Sequence, residues 1–529
     1  MSEPQISRRT LLAGAAATSV VAALPKAAFA RQTPHRELRR SVVVLGTGFG
    51  GSVTALRLAQ AGVRVTMVER GRRWAVGQRG TFPGVGTMDH RAIWLGSGST
   101  VLPGLKPFSD RRRYAGLVEA IQGKGIVVAC GAAVGGGSLP YHGMSVQPRG
   151  DLFARVMPAA LDYEQFDQEF YPRAAAMLKI SAMPQDVLDS PQYSASRTWQ
   201  SFVAKAGLPA ARPLPMTIDW DAVRREIRGE SPPWFSSGDV LFGVNGPGKQ
   251  SLDTNYIPAA EATGNVELLE LHHVQDIARD RRGRWVLDIH RINRGGTLLE
   301  RITLTTDALF LGAGSPNTSK LLVHAAARDT ISGLPDGVGT QWGTNGDLIV
   351  GQLLPKPMGG LGGPASVASC DWDNPEGPVT VLYAPVPIAP RTDSSAYMQT
   401  VAMYLPDKLG AWVYDARKDE AIVELPGALR TPAAAAGMRR LNKVARAAGA
   451  LGTIDLTGAV PNTFHALGGA TIGTVCDDYG RVLEQPGLYV TDGALIPGST
   501  ACANPSLTIA ALAERNVQQV LRRDLGAAF

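Results

Sequence analysis

Ser41-Val-Val-Val-Leu-Gly-Thr-Gly-Phe-Gly-Gly51 is an apolar run of strand character that breaks into glycines at Gly46, Gly48 and Gly51, then resumes as a helical pattern. In this G-x-G-x-x-G spacing the first glycine permits a tight turn, the second lets backbone approach a pyrophosphate, and the third packs helix on strand. The helix N-terminus then faces the phosphates with free N–H groups and its positive dipole end. Gly62 stops the helix, Val63-Arg-Val-Thr-Met-Val68 alternates as a second strand, and Glu69 follows in a position suited to a ribose. A glycine fingerprint is weak by itself in a chain with 60 glycines. Here strand, turn, helix, second strand and acid follow one another within the roughly 30 residues of a βαβ unit. The stretch therefore predicts a dinucleotide site in an α/β fold, and the acid favours an unphosphorylated ribose, as in NAD or FAD.

Working outward, 529 residues with 44% hydrophobic content can bury a large core and suggest two or more domains. The formal charge of +7 includes +2 from the first 30 residues (Arg8, Arg9 and Lys26 against Glu3), leaving +5 for the rest. That excess is mild and scattered. The longest basic run, Arg111-Arg-Arg113, is too short for a nucleic-acid groove, so no nucleic-acid partner is expected.

The N-terminus reads as an address. Ser7-Arg-Arg-Thr-Leu-Leu12 resembles a twin-arginine signal; an uncharged stretch from Leu11 to Leu24 and an A-x-A site at Ala28-Phe29-Ala30 follow. That stretch is too short for a bilayer span, which needs about 20 residues. Residues 1–30 are thus expected to send the protein, already folded, through the twin-arginine export machinery to a secreted, periplasmic or cell-surface location. A protein exported folded has reason to carry a tightly held FAD rather than an exchangeable NAD. Cys130, Cys370, Cys476 and Cys502 are dispersed without C-x-x-C spacing and read as buried thiols; no metal site is expected, since His272 and His273 would face opposite ways on a strand.

A second glycine cluster, Gly131-Ala-Ala-Val-Gly-Gly-Gly-Ser138, marks a turn or a close backbone approach, with a flavin ring edge as the expected object. From Asp151 to about Asn245 the chain turns aromatic and proline-rich and loses βα alternation. Strand-like segments return at Val266–Val274 and Trp285–Ile289 around a turn at Arg281-Arg-Gly283, and Asp307-Ala-Leu-Phe-Leu-Gly-Ala-Gly-Ser315 repeats the strand-into-glycine pattern. Short strand-like runs between Thr340 and Leu405 suggest an antiparallel sheet, and Pro432–Ala448 a helix. Leu488-Tyr-Val-Thr-Asp-Gly493 is a strand ending in Asp-Gly. Beyond it Asn504 is suited to cap, and Pro505 to start, a helix whose apolar face carries Ile509, Ala513, Val517, Val520 and Leu521. Aimed at a flavin, that helix would stabilise the charge gathering there on reduction. The resulting organisation is a Rossmann-like FAD-binding domain from 38–85, 247–338 and 460–529, and an α+β substrate domain on an antiparallel sheet from 86–246 and 339–459.

Gly46 to Glu69, Gly135-Gly-Gly-Ser-Leu139, Gly312-Ala-Gly-Ser315, Phe464-His-Ala-Leu-Gly-Gly469 and Tyr489 to Asn516 occur in the order of the glucose-methanol-choline (GMC) oxidoreductases, which the chain resembles over nearly all its length beyond the address segment. Lys249-Gln-Ser-Leu252, Thr491-Asp-Gly-Ala-Leu-Ile-Pro-Gly-Ser499 and Ala510-Ala-Leu-Ala-Glu-Arg-Asn516 are similar to the branch of bacterial cholesterol oxidases that hold FAD noncovalently. The resemblance implies that Gly46, Gly48, Phe49, Gly50 and Gly51 surround the pyrophosphate, Glu69 the ribose and Val274 the adenine. Gly136, Gly137, Tyr141, Met144 and Pro505 would lie by the isoalloxazine, and Asp492 and Gly493 along the FAD chain. His465 would be the active-site base on the substrate hydroxyl, and Asn504 the residue beside substrate and flavin.

Two departures bear on substrate. The glutamate that moves the isomerisation proton in cholesterol oxidases falls, in Val379-Thr-Val-Leu-Tyr-Ala-Pro385, on Leu382, which puts isomerase activity in doubt unless an acid such as Asp393 folds in. Tyr141-His142 replace an Asn-Gly pair beside the flavin. The expectation is a secreted FAD enzyme that oxidises a hydrophobic secondary alcohol, a sterol 3-hydroxyl among the candidates, to a ketone, with oxygen or another electron acceptor and a transient membrane-surface contact for substrate pickup. The alternatives are a dehydrogenase with a non-oxygen acceptor, a lyase on the same fold, and an FAD-stabilised hydrophobic-ligand binding protein. Loops Trp94–Phe108 and Gly359–Ala368 are expected at the pocket mouth.

Overall fold

The computed structural model describes residues 33–96, 112–387, 394–427, 429–459, 461–527 and 529. The address segment, Asp393, Arg111 and all but the start of the Trp94–Phe108 loop lie outside them. Pro34–Phe529 forms one compact unit.

Strand β1 (His35–Leu45) enters the glycine turn, α1 (Phe49–Gln60) follows, and β2 (Val65–Val68) pairs with β1 in parallel. Later segments complete the sheet: β3 (Val266–Leu269), β4 (His272–Arg279), β5 (Trp285–Ile292) and β6 (Leu298–Leu311), in the order β3-β2-β1-β6-β5-β4. β3, β2, β1 and β6 run parallel, whereas β4 and β5 form an antiparallel hairpin. The long β6 serves two neighbours on one side, because residues 298–306 pair with β5 and residues 309–311 with the short strand Leu488–Val490. β1 is longer than its apolar run predicts. Val42 to Leu45 are buried, as expected of a parallel strand covered on both faces, but the ladder with β6 continues through the charged residues from His35 to Arg40.

After α2 (Ser315–Ala327) the chain builds a second, antiparallel sheet from β7 (Asp347–Leu353), β8 (Val367–Asp371), β9 (Val379–Tyr383), β10 (Tyr397–Tyr404) and β11 (Gly452–Asp455), in the order β11-β7-β10-β9-β8, with Arg212–Pro213 against β8. Helix α3 (Pro432–Ala447) packs on β10. Segment 151–245 is helical for much of its length and divides its side chains between two cores. Phe153, Phe166, Phe170 and Tyr171 join Val43 and Leu45 of β1, whereas Trp199, Trp220 and Met216 join Tyr383 and Met403 of the antiparallel sheet.

The last helix, α4 (Pro505–Arg523), is buried over most of its surface from Pro505 to Val517, not along one apolar face as its sequence pattern suggests. Small residues (Ala510, Ala511, Ala513) let it lie against α1, and its one buried carboxylate, Glu514, is taken up by neighbours. Arg57 of α1 donates two hydrogen bonds to Glu514 (2.7 and 2.8 Å) and the Tyr256 hydroxyl donates a third (2.9 Å). The four cysteines are free, but Cys130, which borders the central cavity, and Cys370, on β8, are only partly buried.

Candidate active site

A cavity of about 540 Å³ runs between the two sheets. Every expected cofactor position lines it except Gly51, as do His465 and Asn504. Gly51 instead abuts the Gly46 carbonyl, where a Cβ would overlap, so its role is helix-on-strand packing. Gly46 has φ +92°, a conformation favouring glycine, and a side chain there would collide with Gly312. Gly48, at the start of α1, and Gly137, in the second glycine turn, would each point a Cβ into open space. The chain therefore presents bare backbone to the cavity from two sides, beside the unpaired amides of a helix N-terminus. That arrangement fits a pyrophosphate-containing dinucleotide.

Two carboxylates border this end. Glu69 accepts from the Thr47 backbone N–H (3.1 Å), the Thr47 hydroxyl (2.7 Å) and the Gly71 N–H (2.8 Å). Burial pushes its pKa up against those donors. Asp492 accepts from Thr318 Oγ1 (2.6 Å), Gly314 N–H (2.8 Å) and Ala494 N–H (2.8 Å), and burial raises it to about 6. Asp492 thereby ties the strand end at Val490 to the first turn of α2. Val274, on β4, lines the cavity beside Arg70 and His273.

The opposite end is made by side chains. Tyr141 meets Phe49 edge-on, with ring centroids 5.6 Å apart, and bonds the Thr217 hydroxyl. Lys249, from the Lys-Gln-Ser-Leu motif, is buried and donates to the carbonyls of Leu139 and Tyr141; loss of hydration pulls its pKa down to about 7. Asn504 stands at the N-cap position of α4, but its side chain makes no capping bond. Its Oδ1 accepts from Val146 N–H (2.8 Å), and its Nδ2 donates to the Met144 carbonyl (2.5 Å) and Ser506 Oγ (2.8 Å). The asparagine thus joins the helix start to the Met144–Val146 backbone, with both amide hydrogens engaged.

His465 follows a two-residue strand, Asn462–Thr463, and its Nδ1 lies 2.9 Å from Asp347 Oδ1 at the start of β7. Thr463 Oγ1 donates to the second oxygen of Asp347 (2.9 Å), which fixes the carboxylate plane. Asp347 is 3% exposed, whereas 28% of the His465 side chain is open. Burial pulls the His465 pKa down, but the Asp347 charge and hydrogen bond more than offset it, and the net shift is upward. A carboxylate only accepts hydrogen bonds, so Nδ1 carries the proton and Nε2 keeps its lone pair in the neutral ring. Asp347 is absent from the residues singled out in the sequence, because it lies 118 positions from His465. Only its place at the start of a strand behind Asn-Gly346 hinted at a turn-end acid.

Beyond His465 the antiparallel sheet supplies the floor: Ile349 on β7, Leu382 on β9 with Ala384 just past its end, and Gln399, Val401 and Met403 on β10. Leu382 is buried opposite Val401 and no carboxylate stands in its place. The Gly359–Ala368 loop reaches the cavity through Ala365.

The C-terminal part of the chain, residues 420–513, matches the family model described as GMC oxidoreductase, a span that holds both His465 and Asn504. That match and the relatives that follow make the chain similar to the GMC oxidoreductases. The match and these relatives support an alcohol oxidoreductase, and proteins of the matched family generally bind FAD. It is 26% identical to a cholesterol oxidase of Mycobacterium tuberculosis, over 90% of each chain. It is 23% identical to one of Acinetobacter baumannii, over 90% of this chain and 94% of the relative. Among solved structures, pyridoxine 4-oxidase from Mesorbium loti superposes with a TM-score of 0.61 at 15% identity, covering 91% of this chain and 99% of that one. At that identity the likeness speaks to the fold. Among the described residues no cluster of three His, Cys, Asp or Glu could hold a metal, and no helix is long and apolar enough to cross a membrane.

Proposed function

We infer that this chain is an FAD-dependent oxidase that converts a hydrophobic secondary alcohol, with a sterol 3-hydroxyl as the leading candidate, to its ketone. The observation that carries the reading is the Asp347–His465 pair, which sets an unprotonated Nε2 in the same cavity as the glycine cradle. Gly46, Gly48, Phe49 and Gly50 with the first turn of α1 would hold the pyrophosphate, and Gly136, Gly137, Tyr141, Met144 and Pro505 the ring system. FAD, when bound there, supplies the hydride acceptor, with reoxidation by oxygen giving hydrogen peroxide. His465 Nε2 takes the proton from the alcohol oxygen, and Asp347 keeps the imidazole in its accepting tautomer and stabilises the imidazolium that results. The apolar floor from Ile349 to Met403 holds a hydrophobic skeleton and excludes water. Leu382 supports simple oxidation without double-bond isomerisation, since no carboxylate stands there to move a carbon-bound proton. Export through the twin-arginine route belongs to the same reading and rests on the N-terminal sequence alone.

The test is an anaerobic screen of sterols, other secondary alcohols and primary alcohols against the purified yellow protein, followed by loss of the flavin band. Bleaching by a secondary alcohol, with peroxide formed when air is admitted, is expected. Bleaching without peroxide assigns a different electron acceptor; bound FAD that no alcohol bleaches assigns a lyase or a binding protein.

A further inference from the structure

His142 stands beside the second glycine turn, and its hydrogen bonding gives it a definite chemistry. Its Nδ1 lies 3.0 Å from the backbone N–H of Ala365. A backbone amide can only donate, so Nδ1 is the accepting nitrogen and the ring proton sits on Nε2. Nε2 has no protein partner among the described residues, and the ring lines the same cavity as His465. The two imidazoles are thus fixed in opposite tautomers by opposite partners. Asp347 can only accept and leaves His465 with a free lone pair, whereas Ala365 can only donate and leaves His142 with a free N–H.

The groups facing His142 keep it neutral. Burial is the largest influence, and the positive charges of Lys249 and of protonated His465 add to it, bringing its pKa down to about 4. Lys249 also binds the carbonyls of Leu139 and Tyr141, which holds the segment that carries the ring.

An alcohol oxygen has one proton to give and lone pairs to receive. As the proton leaves, negative charge grows on that oxygen, and a fixed donor aimed at it is worth more to the transition state than to the bound alcohol. Asn504 is already committed through both amide hydrogens to Met144 and Ser506. We propose that His142, held by Ala365 as its Nε2–H tautomer, donates the hydrogen bond to the same alcohol oxygen that His465 deprotonates. The proton moves from oxygen to His465 Nε2, and His142 keeps its own proton throughout. This assignment rests on the alcohol-oxidising reading above.

Two measurements on the FAD-loaded full chain test it. With ¹⁵N-histidine labelling, long-range ¹H–¹⁵N correlation resolves the eight imidazoles, and His142→Gln identifies the one of interest. The expected spectrum is a neutral Nε2–H ring that does not titrate between pH 5.5 and 8.5; an Nδ1–H tautomer, or titration near 6.5, overturns the assignment whatever the activity. Anaerobic mixing with cholesterol and cyclohexanol then compares wild type, His142→Gly and His142→Gln. His142→Gly is expected to slow the limiting rate of flavin bleaching by about 10²–10³-fold, with a far smaller change in apparent Kd. His142→Gln, which keeps an N–H, is expected to recover most of it. A bleached wild type beside an unaffected His142→Gly overturns the role alone. A wild type that neither these nor any other alcohol of the screen bleaches overturns the alcohol reading and this role with it, while the tautomer result stands.

Discussion

The two ends of the cavity are built from different materials. The end proposed for the cofactor is made of backbone: Gly48 and Gly137 leave room, α1 offers its first amides, and the carboxylates of Glu69 and Asp492 are held by local N–H groups. The end proposed for the chemistry is made of side chains converging from distant segments: His142 after the glycine turn, Asp347 on β7, Gln399 on β10 and His465 before the last strand. A backbone site constrains where side chains must be absent, so it holds whatever fits the cradle. A side-chain site constrains which atoms are present and in what protonation state, and that decides chemistry. The two ends should therefore fail separately.

The largest effect is expected at His465. His465→Gln should lower the rate of flavin reduction by about 10²–10⁴-fold, the usual worth of a general base, and leave bound FAD unchanged. Stopped-flow bleaching and the FAD-to-protein ratio check both halves; if the variant also loses FAD, the ends are not separable. The converse cut is Gly48→Leu, which fills the cradle. Overpacking of this kind costs about 1–3 kcal/mol, so FAD should bind roughly 10- to 100-fold more weakly while far-ultraviolet circular dichroism stays native.

A finer cut is Asp347→Asn, which removes the charge that raises His465 and leaves burial to pull it down. The neutral ring is the active form, so the wild-type rate should rise with pH through a midpoint above 6.5. In the variant the midpoint should fall, giving relatively more activity at acid pH. An unchanged profile would mean that Asp347 only packs. The smallest effect on oxidation is expected from Leu382→Glu. Bleaching should continue, stability should fall by about 1–3 kcal/mol because the acid enters an apolar floor, and a sterol product should acquire the ultraviolet band of a conjugated ketone.

The same contrast explains what the sequence discloses. The cofactor end was legible because a strand, its glycine turn and the next helix are contiguous, and the turn geometry excludes other residues at Gly46 and Gly51. The antiparallel sheet was legible as a class from its short strand-like runs, though not in its order, since β10 lies between β7 and β9 and β11 returns to the far edge. His465 was found only through resemblance; nothing in Phe464-His-Ala specifies an adjacent carboxylate. Asp347 was missed because the pairing depends on where β7 begins, a tertiary fact. Asn504 stands at the start of α4 as expected, yet its side chain turns to Met144 and Val146, because a buried amide is satisfied better by two backbone partners than by one helix N–H. The expected burial of Cys130 failed for a related reason, since local apolarity does not say that a strand will border a cavity.

The central claim is that this cavity brings an alcohol oxygen to His465 beside bound FAD. The most direct measurement is anaerobic mixing of the purified, FAD-containing protein with secondary alcohols, sterols included, while the flavin absorbance is followed. The account predicts full bleaching by at least one secondary alcohol, slowed by two or more orders of magnitude in His465→Gln at unchanged FAD content. Bleaching of His465→Gln at the wild-type rate, or a wild-type flavin that no alcohol bleaches, would contradict it.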